Sequence, residues 1–285
     1  MSDDKILISV NDLEPRVGLA GTAIVDARFD LSDAAAGRRS YEEGHIPGAV
    51  FLDLDEDLAA PIGPTTGRHP LPDVVTITST LGRLGIGNDT DIVVYDSGNG
   101  AIAARTWWIL RWLGHKRVRL LDGGLSAWRD AGNRLEAGIA APTATQFCGD
   151  PRSELVLTTA ELAADIPGIA HRKLLDARDA ARYRGEIEPI DPVAGHVPGA
   201  INLPFSDLVH SDGTWRPVEE LRARFERALG ENRNQPWAAM CGSGVTACHI
   251  AIGGLLAGYN EPRVYVGSWS EWIRDPERPT RPITA

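Results

Sequence analysis

The chain repeats itself. Asp26-Ala27-Arg28 returns as Asp176-Ala177-Arg178, and Gly44-His45-Ile46-Pro47-Gly48-Ala49 returns as Gly195-His196-Val197-Pro198-Gly199-Ala200, each roughly 150 residues later. A weaker match follows in the same order: Leu121 to Trp128 answers Val264 to Trp272. Three ordered matches at nearly one offset describe a duplicated domain. The period is far too long for a solenoid, whose units run to about 50 residues.

Both copies carry the same punctuation. A short apolar strand (Ala23-Ile24-Val25; Lys173-Leu174-Leu175) runs into Asp-Ala-Arg. The Gly-His-x-Pro-Gly-Ala stretch then sets a tight bend before a second short strand. Ile92-Val93-Val94-Tyr95 and Trp237-Ala238-Ala239-Met240 are apolar throughout, as a parallel strand buried on both faces requires. Each leads through a glycine-containing loop into a helix, Ala101 to Trp112 and Val245 to Leu256. Gly114 and Gly258 stand where a helix would terminate. Final strands follow at Val118 to Leu121 and Arg263 to Val266. Strands alternating with helices predict an α/β fold with a mainly parallel sheet in each copy. The copies are expected at 1–138 and 155–285, with a linker over 139–154, where Ala, Gly, Thr and Pro are dense.

Composition narrows the partners. The 285 residues carry a net charge of −10, which argues against nucleic acid and against a polybasic membrane anchor. No apolar run reaches membrane-spanning length. Met1-Ser2-Asp3-Asp4-Lys5 has neither the basic nor the apolar part of a secretory signal. Three cysteines are too few for a disulfide framework. A cytoplasmic protein with reduced thiols is expected. The seven histidines form no Cys/His metal-ligand spacing.

Aligned on their central strands, the copies differ at one telling place: Asp96 in the first stands opposite Cys241 in the second. A cysteine at the C-terminal end of a parallel strand, just before a helix, meets successive backbone N–H groups and the positive end of a helix dipole. Both favour an anionic sulfur, whether thiolate or persulfide. A lone cysteine is more often buried and inert. The flanking glycines and the loss of Cys in the sister copy favour chemistry here. Cys248, two helical turns on, reads as core. Cys148 falls in the expected linker, with no chemistry to derive.

The tandem repeat, the Asp-x-Arg and Gly-His-x-Pro-Gly-Ala signatures, the Cys241-Gly242-Ser243-Gly244-Val245-Thr246 loop and the closing Gly267-Ser268-Trp269-Ser270-Glu271-Trp272 together resemble the two-domain rhodanese-type sulfurtransferases. The resemblance covers nearly the whole chain. It implies two tandem rhodanese-like domains, of which the second is catalytic and the first holds Asp96 in place of cysteine. It also implies a persulfide on Cys241 formed from a small anionic sulfur donor and passed to cyanide, a thiol or a thioredoxin-like acceptor, with no cofactor and no metal. The backbone N–H groups of Gly242, Ser243, Gly244, Val245 and Thr246 would cradle the sulfur.

The loop carries no cation, which is similar to the 3-mercaptopyruvate branch rather than the thiosulfate branch. That branch implies a proton relay of Ser243, His69 and Asp55, with Asp53 as the alternative carboxylate. It also implies two donor-binding arginines. The first matches Arg182. The second belongs where Ile190 stands, in Glu188-Pro189-Ile190, so weak affinity for 3-mercaptopyruvate is expected, with Arg184 the first substitute. Arg178 reads as structural, paired with Asp176. Two other classes compete. A cysteine phosphatase needs an arginine six residues after its cysteine, where Ala247 stands. A non-catalytic rhodanese-like binding module would not need the intact cysteine and Ser243.

Overall fold

The computed structural model describes residues 5–166 and 172–281. Met1 to Asp4, read above for a leader, lie outside them. The chain forms two compact units. One gathers Met1–Ala60, Leu71–Arg152 and His210–Trp215; the other gathers Pro61–Pro70, Ser153–Val209 and Arg216–Ala285.

The first unit is built on five strands, β1 (Leu7–Ile8), β2 (Thr22–Asp26), β3 (Val50–Phe51), β4 (Asp91–Tyr95) and β5 (Val118–Leu121). They lie in the order β1-β5-β4-β2-β3, with every pairing parallel. The second unit repeats this with β6 (Val156–Leu157), β7 (Lys173–Asp176), β8 (Ile201–Asn202), β9 (Trp237–Met240) and β10 (Arg263–Tyr265), in the order β6-β10-β9-β7-β8, again parallel. Register repeats as well: Asp26 pairs with Tyr95, and Asp176 with Met240.

The cores match residue by residue. Ile24, Ile46, Val93, Leu125 and Trp128 in one unit answer Leu174, Val197, Ala238, Trp269 and Trp272 in the other, all buried. Helices flank the sheets, and the expected ones begin slightly later than their sequence suggested, at Ala103–Trp112 and Thr246–Leu256, because the loop before each turns once more. Gly114 and Gly258 end them in left-handed conformations with φ of +86° and +88°. Of the four edge strands, β3 and β8 were expected and β1 and β6 were not. Residues 139–152 have no regular structure, but they are fastened along the first unit: Thr145 N–H bonds Gly82 O at 2.8 Å and Arg152 N–H bonds Trp112 O at 2.8 Å.

The repeated signatures are fasteners. Arg28 bonds the Asp26 carboxylate through Nε and Nη2 and reaches the Gly44 carbonyl at 2.8 Å. Arg178 does the same with Asp176 and the Gly195 carbonyl, also at 2.8 Å. Each Asp-x-Arg pair thus ties a central strand to the start of its Gly-His-x-Pro-Gly-Ala turn. Breaking a buried pair of this kind strands a charge and costs about 3–5 kcal/mol. Among the described residues, no helix is long and apolar enough to cross a membrane.

Candidate active site

Cys241 follows the last residue of β9 and is buried, with 2% exposure. Its Sγ accepts the N–H of Ser243 at 3.4 Å and of Gly244 at 3.1 Å. Thr246, the last of the Gly242 to Thr246 run, opens the following helix. Gly244 has φ of +80°, and a Cβ there would lie 2.2 Å from the Val266 carbonyl oxygen, so only glycine fits. Ser268 accepts the Cys241 N–H on its Oγ at 3.0 Å. Trp269 and Ser270 donate their N–H groups to the Cys241 and Gly242 carbonyls at 3.0 and 2.9 Å. Cys248 is fully buried, its thiol bonded to the Gly244 carbonyl at 3.3 Å, as a core residue.

In the first unit Asp96 occupies the same place after β4. Its carboxylate accepts the N–H groups of Gly98, Gly100, Ile102 and Ala103 at 3.0 to 3.1 Å. The loop that wraps a thiol sulfur in one copy is filled by a carboxylate in the other.

The second unit gains a segment from between β3 and β4, residues 61–70. Arg68 N–H bonds Ser270 Oγ at 3.0 Å, and a Cβ on Gly67 would sit 2.5 Å from the Gly267 carbonyl oxygen. This close docking delivers two side chains. His69 Nδ1 lies 2.8 Å from Ser243 Oγ, with both residues buried. Ser243 therefore touches the sulfur with its N–H and the imidazole with its hydroxyl.

The second side chain is Arg68, which the sequence reading missed. A Cβ on Gly242 would be 2.9 Å from Arg68 Nη2 and 3.6 Å from both Nη atoms of Arg182, so two guanidiniums face the residue after the cysteine. Arg68 thus stands beside Arg182 at Gly242, whereas the sequence reading sought a second arginine at Ile190. Ile190 is 46% exposed. Arg184 is exposed and bonds Glu186, and it belongs to a helix, Ala180–Arg184, rather than an extended segment.

Carboxylates hold both guanidiniums. Arg182 grips Glu188 through Nε at 3.1 Å and Nη2 at 2.7 Å, and reaches Asp191 Oδ2 at 3.2 Å. Arg68 Nη1 pairs with Asp191 Oδ1. Burial pushes the Asp191 carboxyl above the usual range against the pull of the two arginines. Burial pushes Glu188 upward too, but the Arg182 fork and the N–H groups of Ile190 and Asp191 hold it below the usual range.

Asp55 and Asp53 belong to the first unit. Asp53 is buried and accepts the N–H groups of Asp55 and Glu56 at 2.8 and 3.1 Å, the work of a turn former. Asp55 is exposed, and partial burial with its neighbours Asp53 and Glu56 raises its pKa. The first unit also has a cavity of about 460 Å³ lined by Arg28, Ser97, Ser126 and Arg129, among others. Among the described residues no His, Cys, Asp or Glu cluster could hold a metal ion.

A model of the rhodanese-like domain matches the chain twice, over residues 9–131 and 158–275. A Pseudomonas aeruginosa protein named a probable 3-mercaptopyruvate sulfurtransferase is 48% identical over 96% of both chains. The thiosulfate sulfurtransferase of Gallus gallus is 36% identical over 90% of this chain and 88% of its own. The crystal structure of SseA from Escherichia coli, described among 3-mercaptopyruvate sulfotransferases, superposes with a TM-score of 0.82 at 31% identity, covering 93% of this chain and 99% of that one. Two parallel sheets of one topology, a cysteine loop in one copy and these matches lead to one conclusion: the chain belongs to the rhodanese-like family as a tandem-domain sulfurtransferase of the mercaptopyruvate and thiosulfate type, which transfers sulfur through a cysteine persulfide.

Proposed function

We propose that Cys241 is the sulfur-carrying nucleophile and that 3-mercaptopyruvate is the preferred donor. The observation that carries this reading is the pair of guanidiniums, Arg68 and Arg182, against Gly242 beside an otherwise uncharged loop. A planar carboxylate matches such forks. The cysteine thiolate attacks the donor's thiol sulfur. The S–S bond forms as the C–S bond breaks, and the electron pair passes to the donor's carbon, leaving the enolate of pyruvate. The proton lost by the donor thiol ends on that carbon. Ser243, bonded to His69 at 2.8 Å, is the group placed to move it. Asp55 enters the relay on the family resemblance alone.

The outer sulfur of the persulfide then passes to a thiol, a thioredoxin-like protein or cyanide, which restores the Cys241 thiolate. The N–H groups of Ser243 and Gly244 support the anionic sulfur in both states. We place the reaction in the cytoplasm, where acceptor thiols stay reduced. The non-catalytic half is taken as 1–138 and the catalytic half as 155–285, joined by 139–154, with residues 61–70 lent to the second unit.

The test is a side-by-side kcat/KM for 3-mercaptopyruvate and thiosulfate, with mass spectrometry after donor treatment. One added sulfur on Cys241, lost in Cys241→Ser and kept in Cys148→Ser and Cys248→Ser, is expected. Sulfur on Cys248 would overturn the assignment, and a clear preference for thiosulfate would overturn the donor.

A further inference from the structure

The two cations at Gly242 are matched by two anions. Arg68 and Arg182 face Glu188 and Asp191, so the cluster carries no net charge, and both carboxylates are only 4% exposed. The carboxylates have different tasks. Glu188 shapes its own loop, accepting the N–H groups of Ile190 and Asp191 at 3.1 Å each, and lies 3.6 Å from Arg178. Asp191 spends its carboxylate on the donor-facing arginines, one oxygen to Arg68 and the other to Arg182.

We propose that Asp191 is a specificity residue, a built-in counter-anion that holds Arg68 and Arg182 toward Gly242 and favours a singly charged donor over a doubly charged one. This rests on the reading that the two arginines bind the donor's anionic group. A monoanionic carboxylate can share the guanidiniums with Asp191. A dianion such as thiosulfate brings a second negative charge to the same partly desolvated spot. The repulsion from Asp191 grows in proportion to donor charge, by about tenfold in affinity per unit charge at a separation of about 7 Å and an effective dielectric between bulk water and the protein surface.

Purely structural bracing predicts something else, because a slackened arginine pair weakens both donors alike. The ratio of kcat/KM for thiosulfate over 3-mercaptopyruvate separates the two. In Asp191→Asn this ratio should rise about tenfold. In Asp191→Glu, which keeps the charge, it should stay within about twofold of wild type. Asp191→Ser gives the same reading should the Asn variant fail to fold. Arg182→Ala provides the control. If it leaves KM unchanged for both donors, the arginine reading falls, and this proposal with it. If it raises KM while Asp191→Asn leaves the donor ratio unchanged, the proposal alone is overturned.

Discussion

Ser268 holds a left-handed backbone, φ +53°, while its hydroxyl accepts the N–H of Cys241 at 3.0 Å. It is the one non-glycine residue with positive φ among the described residues. The matching position in the first unit is Gly124, with φ of +56°, beside the loop that carries Asp96. The copy with Asp96 uses the residue that makes this conformation easy. The copy with the cysteine keeps a side chain there at a cost of about 1–2 kcal/mol. Ser268→Gly should therefore leave Tm within a few degrees, since relieved strain offsets a lost hydrogen bond, yet lower kcat about tenfold as the end of β9 loosens. Ser268→Ala, which keeps the strain and loses the bond, should lose Tm as well. Full activity in Ser268→Gly would sink the positioning role.

Arg68 and Ile190 make a paired prediction. Arg68→Ala removes a charge-assisted contact worth about 1.5–3 kcal/mol, so KM for 3-mercaptopyruvate should rise about ten- to a hundredfold. Ile190→Arg should change it by less than about threefold, because residue 190 is exposed and Arg68 already faces Gly242. A large gain from Ile190→Arg would mean that the clamp lacks an arm after all.

If Ser243 and His69 move one proton together, their losses are not additive. Each alanine variant should slow turnover, and the double variant should cost little more than the worse single one. Multiplying losses would show two independent roles.

Glu161 gives a pH signature in stability. It closes a capping box with Thr158 at the start of the helix Thr159–Asp165 and bonds Arg263 at 2.7 Å. The Arg263 bond and the Thr158 N–H bring its pKa down to about 2, below the ordinary glutamate range. A depressed acid stabilises the fold above its unfolded pKa and stops doing so as pH falls through the folded one. Glu161→Ala should cost about 1 kcal/mol near neutrality, mostly as a lost cap since the ion pair is largely exposed. The gap from wild type in urea unfolding should hold down to about pH 5 and narrow below it. A gap that stays constant to pH 3 would contradict this.

The sequence displayed the fold where burial writes a pattern. β4 and β9 are apolar at successive positions, and the Asp-x-Arg and Gly-His-x-Pro-Gly-Ala fasteners recur as words. β1 and β6 were invisible because two residues carry no period and, unlike the equally short β3 and β8, they follow no Gly-His-x-Pro-Gly-Ala turn. Cys241, Ser243 and Arg182 could be named from local motifs. Arg68 could not, since its partner Asp191 lies 123 residues further on and the missing arginine was sought near Ile190. Its one signal was adjacency to His69, since one tightly docked bend can serve two ends of a site.

Residues 61–70 decide where the chain can be cut. A gene split anywhere between codons 139 and 154 would give Cys241 to a product without Arg68 or His69, and residues 210–215 would be missing from the other product, where Trp215 N–H meets Asp122 at 2.9 Å. The first half of the chain is the sole encoded source of the histidine and the arginine that face Ser243 and Gly242, so deleting it would take both from the second unit.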